Sequence, residues 1–184
     1  MLKVKSMLRD VLRRLRGEVS TEALIRQGLV VGNNFKRLNQ VIIDDSHPWL
    51  IEIGDNVTLA PRVHILAHDA STKQFLGYTK IGNVKIGNEV FIGAESVILP
   101  GVTIGDRVIV GANSTVTHDV PDGVVVVGSP ARLLCTTDEY LEKERRKMES
   151  SPVYGVEYTL RGNISMDMRK RQRKEIAKTG GYVE

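Results

Sequence analysis

Histidine is the residue type in this sequence whose side chain is best suited to proton transfer near neutral pH. The chain contains four, and these are His47, His64, His68 and His118. Imidazole has an ordinary pKa of about 6.5, so its neutral form is abundant at pH 7 and can act as a general base. His68 differs from the others because it lies in the last repeat unit before a polar stretch, Ser71 to Lys80, that interrupts a regular pattern. Asp69 could orient the His68 ring, but adjacent side chains on a strand point to opposite faces.

The regular pattern is a six-residue repeat. An aliphatic residue returns at every sixth position, and the set is Ile53, Leu59, Ile65 and, after the interruption, Ile86, Ile92, Ile98, Ile104, Val110 and Val116. A period of six matches neither a helix nor a simple strand, but it fits a very short strand followed by a turn. Glycine often follows the aliphatic residue, as in Ile92-Gly93, and we expect it to supply unusual backbone angles at the turns. Stacked units of this kind wind into a β-helix with an aliphatic core.

The repeat divides the chain into three predicted parts. Residues 29–134 are expected to form the β-helix, and residues 69–83 an ejected loop that is either functional or a tolerated surface insertion. Residues 1–28 are expected to form a basic amphipathic helical segment, and residues 135–184 a helical tail. Residues 1–16 could pack on a neighbouring subunit or make peripheral contact with anionic lipid.

Composition and charge exclude several function classes. The chain has 184 residues, a net charge of +4 and only 5% aromatic residues, and the charge is +4 over residues 1–28, −2 over 29–135 and +2 over 136–184. A slightly acidic middle with few aromatics argues against nucleic-acid binding. No apolar run approaches the roughly 20 residues of a membrane-spanning helix. A lone Cys135 and the absence of a secretory signal favour the cytoplasm.

The residues that carry the repeat also carry a family resemblance. The string IGNEVFIGAESVILPGVTIGDRVIVGANSTVTHDVPDGVVVVGSPARLL resembles the hexapeptide-repeat acyltransferases, and most of all the sugar and capsular-polysaccharide O-acetyltransferases related to galactoside and maltose acetyltransferases. The resemblance covers about residues 24–134. It implies an all-β solenoid, a left-handed parallel β-helix with short N-terminal helices and a helical C-terminal tail, assembled as a homotrimer. It also implies acetyl-CoA as co-substrate, no metal, and a saccharide acceptor whose hydroxyl attacks the thioester directly.

The same resemblance assigns site residues. His68 is expected to be the general base, and the backbone N–H of Ala94 is expected to stabilise the oxyanion. The positions expected to contact coenzyme A are Phe91, where relatives often have Trp, and Ala94, Ala112, Thr117 and Arg132. Arg132 also has a physical rationale, because a guanidinium grips phosphate well. The residues expected to hold the acceptor are Asn39, Asp44, Asp45 and Asp69, although Asn and Asp are also ordinary turn formers.

Three alternative functions are open from the sequence. N-acetylation of an amino sugar or nucleotide sugar is the first, but relatives of that kind often carry an N-terminal nucleotide-binding domain for which residues 1–28 are too short. A γ-class carbonic anhydrase is the second, and it needs three zinc-binding histidines at a spacing that this chain lacks. A non-catalytic β-helix scaffold is the third, and a histidine beside an ejected loop argues against it.

Overall fold

The computed structural model describes residues 18–184, which divide into two compact units. The first unit ends at Thr137 and the second comprises Asp138–Glu184. The predicted basic helix over residues 1–16 lies outside the described residues. Within residues 18–184, no helix is both long enough and apolar enough to cross a membrane.

Three sheets, which we call the first, second and third faces, form the body of the first unit. The first face contains β1 (Val30–Val31), β4 (Ile51–Ile53), β9 (Val84–Ile86) and β12 (Thr103–Ile104). The second contains β2 (Lys36–Arg37), β5 (Thr58–Leu59), β10 (Phe91–Ile92), β13 (Ile109–Val110), β15 (Val124–Val127) and β16 (Arg132–Thr136). The third contains β3 (Ile42–Ile43), β6 (His64–Ile65), β11 (Val97–Ile98) and β14 (Thr115–Val116).

Successive strands visit the three faces in turn, so the chain winds as a three-sided coil of parallel strands. Phe91 pairs with Ile109 and Val97 pairs with Thr115, and each partner lies three repeat units further along the chain. Three units therefore make one regular coil, as the sequence repeat predicts. The antiparallel strand β16 pairs with β15 and ends the second face.

The inward aliphatic residues form one continuous core. Ile65, Ile92 and Ile98 are each 0% exposed; Ile65 and Ile98 pair on the third face, and Ile92 lies on the second. Ser96 and Ser114 occupy inward positions where other coils have valine, and both are buried. The Ser96 hydroxyl donates to the Gly111 carbonyl at 2.9 Å, so this buried polar group is satisfied.

The glycines of the repeat do not have the role that the sequence suggests. Most corner residues with left-handed backbone angles are not glycine, and they are Asn34, Gln40, Asn56, Arg62, Glu89, Glu95, Arg107 and Asn113, whereas Gly101 fills the equivalent corner before Val102. Gly87 and Gly93 instead lie where coils stack, and a Cβ atom at either would meet a carbonyl carbon of the next coil at 2.7 Å. The expectation of unusual angles at these glycines was therefore wrong, because close approach of the backbones is what excludes a side chain there.

Two coils carry extra residues at the corner between the third and first faces. Ile42 pairs with His64, whereas in a regular coil the partner of Ile42 would come earlier in the chain. The coil is longer because an additional turn with a 3-10 helix, Pro48–Leu50, follows β3. His64 pairs with Val97, so the next coil is longer still and contains the ejected loop. This second insertion begins with β7 (His68–Asp69), which pairs antiparallel with β8 (Lys80–Ile81). The 3-10 helix Ala70–Thr72 and a helical turn lie between them.

Helices precede and follow the coil along the sequence, and one helical turn lies in the ejected loop. Helix α1 (Thr21–Arg26) precedes β1 and begins after Ser20, whose hydroxyl accepts a hydrogen bond from the N–H of Ala23. The helical turn in the ejected loop is α2 (Lys73–Leu76). The remaining elements are α3 (Thr137–Glu149), β17 (Val153–Tyr154), the 3-10 helix Val156–Tyr158, α4 (Met166–Glu175) and β18 (Tyr182–Val183). The Ser165 hydroxyl accepts a hydrogen bond from the Met168 N–H and caps α4.

Candidate active site

His68 and Asp44 form a hydrogen-bonded pair on adjacent coils. His68 opens β7 directly after the third face, and its Nδ1 lies 2.5 Å from Oδ2 of Asp44. Asp44 follows β3, which pairs with β6, so the register of the third face stacks the two corners. The Asp44 side chain is fully buried, whereas that of His68 is 35% exposed. One end of the pair is therefore fixed in the protein and the other is open to a substrate.

The surroundings of Asp44 keep its carboxylate ionised. Burial alone would raise its pKa, but hydrogen bonds from the Ala67 N–H, the His68 ring and the Ser46 N–H outweigh burial and lower the pKa below its ordinary value. The N–H groups of Ser46 and His47 donate to Oδ1, and that of Ala67 donates to Oδ2 at 2.9 Å. Because an ionised carboxylate can only accept hydrogen bonds, Nδ1 of His68 carries a proton in this pair, and in the neutral ring Nε2 then presents a lone pair.

This arrangement corrects the expected role of Asp44. The resemblance assigned Asp44 to the acceptor, but its carboxylate is buried and already accepts from three backbone N–H groups and one imidazole. It has no free oxygen to offer to a sugar hydroxyl. Its contact is with His68, and it orients that ring.

Asp69 binds within the ejected loop rather than to the His68 ring. Its carboxylate lies 2.6 Å from Nζ of Lys80 and accepts from the Ser71 N–H at 2.8 Å. The hydrogen bond from Lys80, followed by those from Ser71, lowers the pKa of Asp69 to about 2. Asp69 therefore ties together the two ends of the ejected loop, and Asp44, not Asp69, is the carboxylate that orients the histidine.

The other two residues expected to hold the acceptor are exposed. Asn39 lies at a coil corner, where its carbonyl accepts from the Arg62 N–H at 3.1 Å. Asp45 lines a small cleft together with Arg37 and Glu18. Asp45 directly follows Asp44. Of Asn39 and Asp45, it is therefore Asp45 that is adjacent in sequence to a member of the His68–Asp44 pair.

Two rings that had no expected role lie beside His68. The ring of His47 packs 5.4 Å from that of His68, and the ring of Trp49 packs 5.3 Å from that of His47. Trp49 is 57% exposed. One donor atom from each of Asp44, His47 and His68 lies within 4.8 Å of the other two. No sequence signal indicates this grouping, because His47 and His68 meet only through the stacking of two irregular coils.

The residues expected to contact coenzyme A lie on successive coils. Phe91 is 45% exposed on the second face and pairs with Ile109 of the next coil. Ala94 and Ala112 occupy equivalent corners between the second and third faces, and the Ala94 carbonyl accepts from the Asn113 N–H at 2.8 Å. Further along the coil, Thr117 and Arg132 line one cleft of about 180 Å³. His118 lines the same cleft, and its Nδ1 lies 2.8 Å from the Thr117 hydroxyl.

Known proteins share the sequence of this coil. The family described as bacterial transferase hexapeptide (six repeats) matches residues 83–118. Protein CapG of Staphylococcus aureus is 44% identical over 140 residues, which cover 72% of this chain and 80% of CapG. The chain belongs to the hexapeptide-repeat transferase family. The predicted resemblance, and with it the prediction of an acyltransferase, is confirmed.

Solved structures of acetyltransferases agree with this assignment. A maltose O-acetyltransferase from Clostridium difficile 630 superposes with a TM-score of 0.54 at 42% identity, over 59% of this chain and 59% of that one. A galactoside acetyltransferase in complex with coenzyme A gives a TM-score of 0.56 at 35% identity, over 62% of this chain and 58% of that one. The chain thus spans somewhat under two thirds of these solved proteins, and coenzyme A is the ligand of one of them.

Proposed function

We propose that this hexapeptide-repeat transferase moves an acetyl group from acetyl-CoA to a hydroxyl of a saccharide, with His68 as general base. The observation that carries the proposal is the pairing of His68 with a buried, ionised Asp44. A buried carboxylate that accepts from Nδ1 selects the imidazole tautomer with a free Nε2 lone pair, which is what proton abstraction from a hydroxyl requires. We expect a saccharide because the two solved relatives are named after maltose and galactosides.

The reaction needs no covalent enzyme intermediate, since a thioester is already activated. Nε2 of His68 takes the hydroxyl proton as the acceptor oxygen attacks the thioester carbonyl carbon. The carbonyl oxygen becomes an oxyanion, which the backbone N–H of Ala94 stabilises. When the carbon–sulfur bond breaks, the leaving thiolate takes the proton from the His68 imidazolium. The products are the acetylated acceptor and free coenzyme A.

The positions of the base and the oxyanion donor support a homotrimer. His68 belongs to the corner between the third and first faces, and Ala94 to the corner between the second and third faces. A cleft between two copies would bring different corners of two chains together and complete the site. The large apolar side chains of the ejected loop, Phe75 at 80% and Leu76 at 68% exposure, are also available to a neighbouring copy. The family resemblance further favours a left-handed winding of the coil.

The cleft that contains Thr117 and Arg132 is the proposed position for the phosphorylated end of coenzyme A. Arg132 is exposed, and its guanidinium donates to the neighbouring Ala131 carbonyl at 2.9 Å, which leaves other N–H groups available to phosphate. On this proposal the protein acts in the cytoplasm. Both the use of acetyl-CoA and the lone Cys135 are compatible with a reducing compartment. A polysaccharide precursor is the acceptor class that we favour.

The test is an acceptor screen. The full-length protein is mixed with acetyl-CoA and a panel of saccharides, and release of free thiol is followed against a reaction without acceptor. Treatment of the product with mild alkali distinguishes an O-acetyl ester from an N-acetyl amide, because the alkali cleaves the ester and leaves the amide intact. Saccharide-dependent thiol release with an alkali-labile product supports the proposal. An alkali-stable product on an amino sugar would replace it with N-acetylation.

A further inference from the structure

His47 has no part in the proposed transfer, yet its ring lies against the catalytic pair. Its Nδ1 is shielded from solvent and has no hydrogen-bond partner among the described residues. A buried polar atom without a partner is uncommon, and a bound ion is one of the partners that satisfies such an atom. The backbone N–H of His47 donates to Oδ1 of Asp44 at 3.2 Å, so the histidine is held beside the pair independently of its ring nitrogens.

The three side chains offer the donor set that zinc prefers. Two imidazoles and one carboxylate, with the remaining position left to water, are ordinary Zn²⁺ ligands. One donor atom from each of Asp44, His47 and His68 lies within 4.8 Å of the other two. Zinc–ligand bonds are about 2.0–2.2 Å long, so donors around a tetrahedral ion lie about 3.3 Å apart. To reach that geometry, Nδ1 of His68 and Oδ2 of Asp44, now 2.5 Å apart, would separate by about 0.8 Å, and donors at the 4.8 Å limit would approach by about 1.5 Å.

The surroundings of the cluster are also those of a supported metal site. Backbone N–H groups of Ser46 and Ala67 bind the Asp44 carboxylate and fix its orientation. Hydrogen bonds of this kind to a ligand are the usual outer support of a bound metal. The Trp49 ring packs on the side of His47 and holds that ring in place.

We propose that Asp44, His47 and His68 bind one Zn²⁺ ion reversibly, and that the bound ion inhibits acetyl transfer. Nδ1 of His68, which donates its proton to Asp44 in the free protein, is the nitrogen that the ion would take. With zinc on Nδ1, the ring proton occupies Nε2, and the lone pair that accepts the hydroxyl proton is lost. The ion is therefore an inhibitor and not a cofactor. The effect on activity rests on the proposed function, whereas the zinc site itself does not.

Calorimetric titration of the full-length protein with ZnCl₂, without coenzyme A, tests the site directly. The informative variant is His47→Phe, which keeps an aromatic ring between Trp49 and His68 and keeps the backbone N–H but removes the ligand nitrogen. The matched control is His64→Phe, since His64 is also half-buried but lies outside the cluster. Wild type and His64→Phe should bind one ion per chain with equal affinity. His47→Phe should bind it at least about tenfold more weakly, because even outer-shell changes cost 10–100-fold.

Absorption of the Co²⁺-loaded wild-type protein gives a second readout that needs no variant. Visible bands typical of a tetrahedral site with nitrogen and oxygen ligands are expected, and added Zn²⁺ should remove them. A wild-type protein that gives no such bands and binds no stoichiometric zinc would overturn the proposal. Equal zinc affinity in folded His47→Phe and in wild type would overturn it as well.

Activity measurements separate this proposal from the proposed function. Zinc should abolish acetyl transfer by wild type, a chelator should restore it, and His47→Phe should transfer acetyl groups at the wild-type rate while resisting zinc. If no acceptor is acetylated but one zinc ion binds through His47, the proposed function fails and the zinc site stands. If acetyl transfer occurs and micromolar zinc has no effect on it, the zinc proposal fails alone.

Discussion

Replacement of Asp44 by Asn tests how the protein positions its base. An amide has the shape of the carboxylate but only one accepting oxygen, whereas Asp44 accepts hydrogen bonds on both oxygens. Its Oδ1 binds two backbone N–H groups and its Oδ2 binds the Ala67 N–H and His68. In either orientation the NH₂ group of the introduced amide therefore faces N–H donors.

The expected loss of activity follows from the His68 contact. Asp44 stabilises the imidazolium that forms when His68 takes the proton, and a hydrogen bond between charged groups contributes about 1.5–3 kcal/mol. At 1.36 kcal/mol per factor of ten, kcat should fall about tenfold to 150-fold. The donors left without a partner should also lower the free energy of unfolding by about 1–3 kcal/mol.

The assay is the initial rate of acetyl transfer at saturating acetyl-CoA and acceptor, with circular dichroism to verify the fold. The matched control is Asp167→Asn, because the Asp167 side chain is 95% exposed in the second unit and far in sequence from the histidine pair. The control should retain wild-type kcat and stability. A folded Asp44→Asn protein with wild-type kcat would refute the argument that the carboxylate orients and stabilises the base.

Three further predictions concern the coil, the coenzyme end and the effect of pH. Gly93→Ala should lower the melting temperature, because its Cβ would meet the next coil's backbone near Ala112, and it should weaken coenzyme A binding measured by calorimetry. Arg132→Gln should raise the KM for acetyl-CoA with little change in kcat, and an unchanged KM would remove Arg132 from the phosphate contact. The lowered pKa of Asp44 stabilises the fold above the unfolded-state pKa of about 3.9, and this contribution is lost as the pH falls through the folded-state pKa. Urea unfolding should therefore show stability falling more steeply below pH 4 in wild type than in Asp44→Asn.

The coil was predictable because its signal is local and repeated. An aliphatic residue at every sixth position must point inward if the chain stacks on itself, and Ile86, Ile92 and Ile104 are accordingly no more than 1% exposed. The interruption after His68 was predictable for the same reason, since a polar stretch without the repeat cannot stay in a coil made of three regular units.

The pairing of His68 with Asp44 was not predictable from that repeat. The coil that contains Asp44 is longer than three repeat units, so counting back the three units of a regular coil from His68 reaches Leu50 rather than Asp44. The extra turn and its 3-10 helix follow Asp44 without any hydrophobic repeat to mark the register. Without that register, Asp69 is the nearer carboxylate in sequence, and Asp44 was expected to hold the acceptor instead.

The role of the glycines could not be predicted from the sequence, for a different physical reason. Glycine is compatible both with left-handed backbone angles and with close approach of another backbone, and a single sequence does not distinguish the two. In this coil, asparagine and charged residues such as Asn56 and Glu95 adopt most of the left-handed angles and Gly101 adopts one, while the glycines that follow the repeat's aliphatic residues provide the space between coils.

The most direct test of the central claim is a comparison of wild type with His68→Ala in the acetyl-transfer assay. Because general-base catalysis contributes roughly 10²–10⁴-fold, kcat should fall at least about a hundredfold in a variant that retains the circular dichroism spectrum and coenzyme A affinity of wild type. A folded His68→Ala protein that acetylates the acceptor at the wild-type rate would contradict the account.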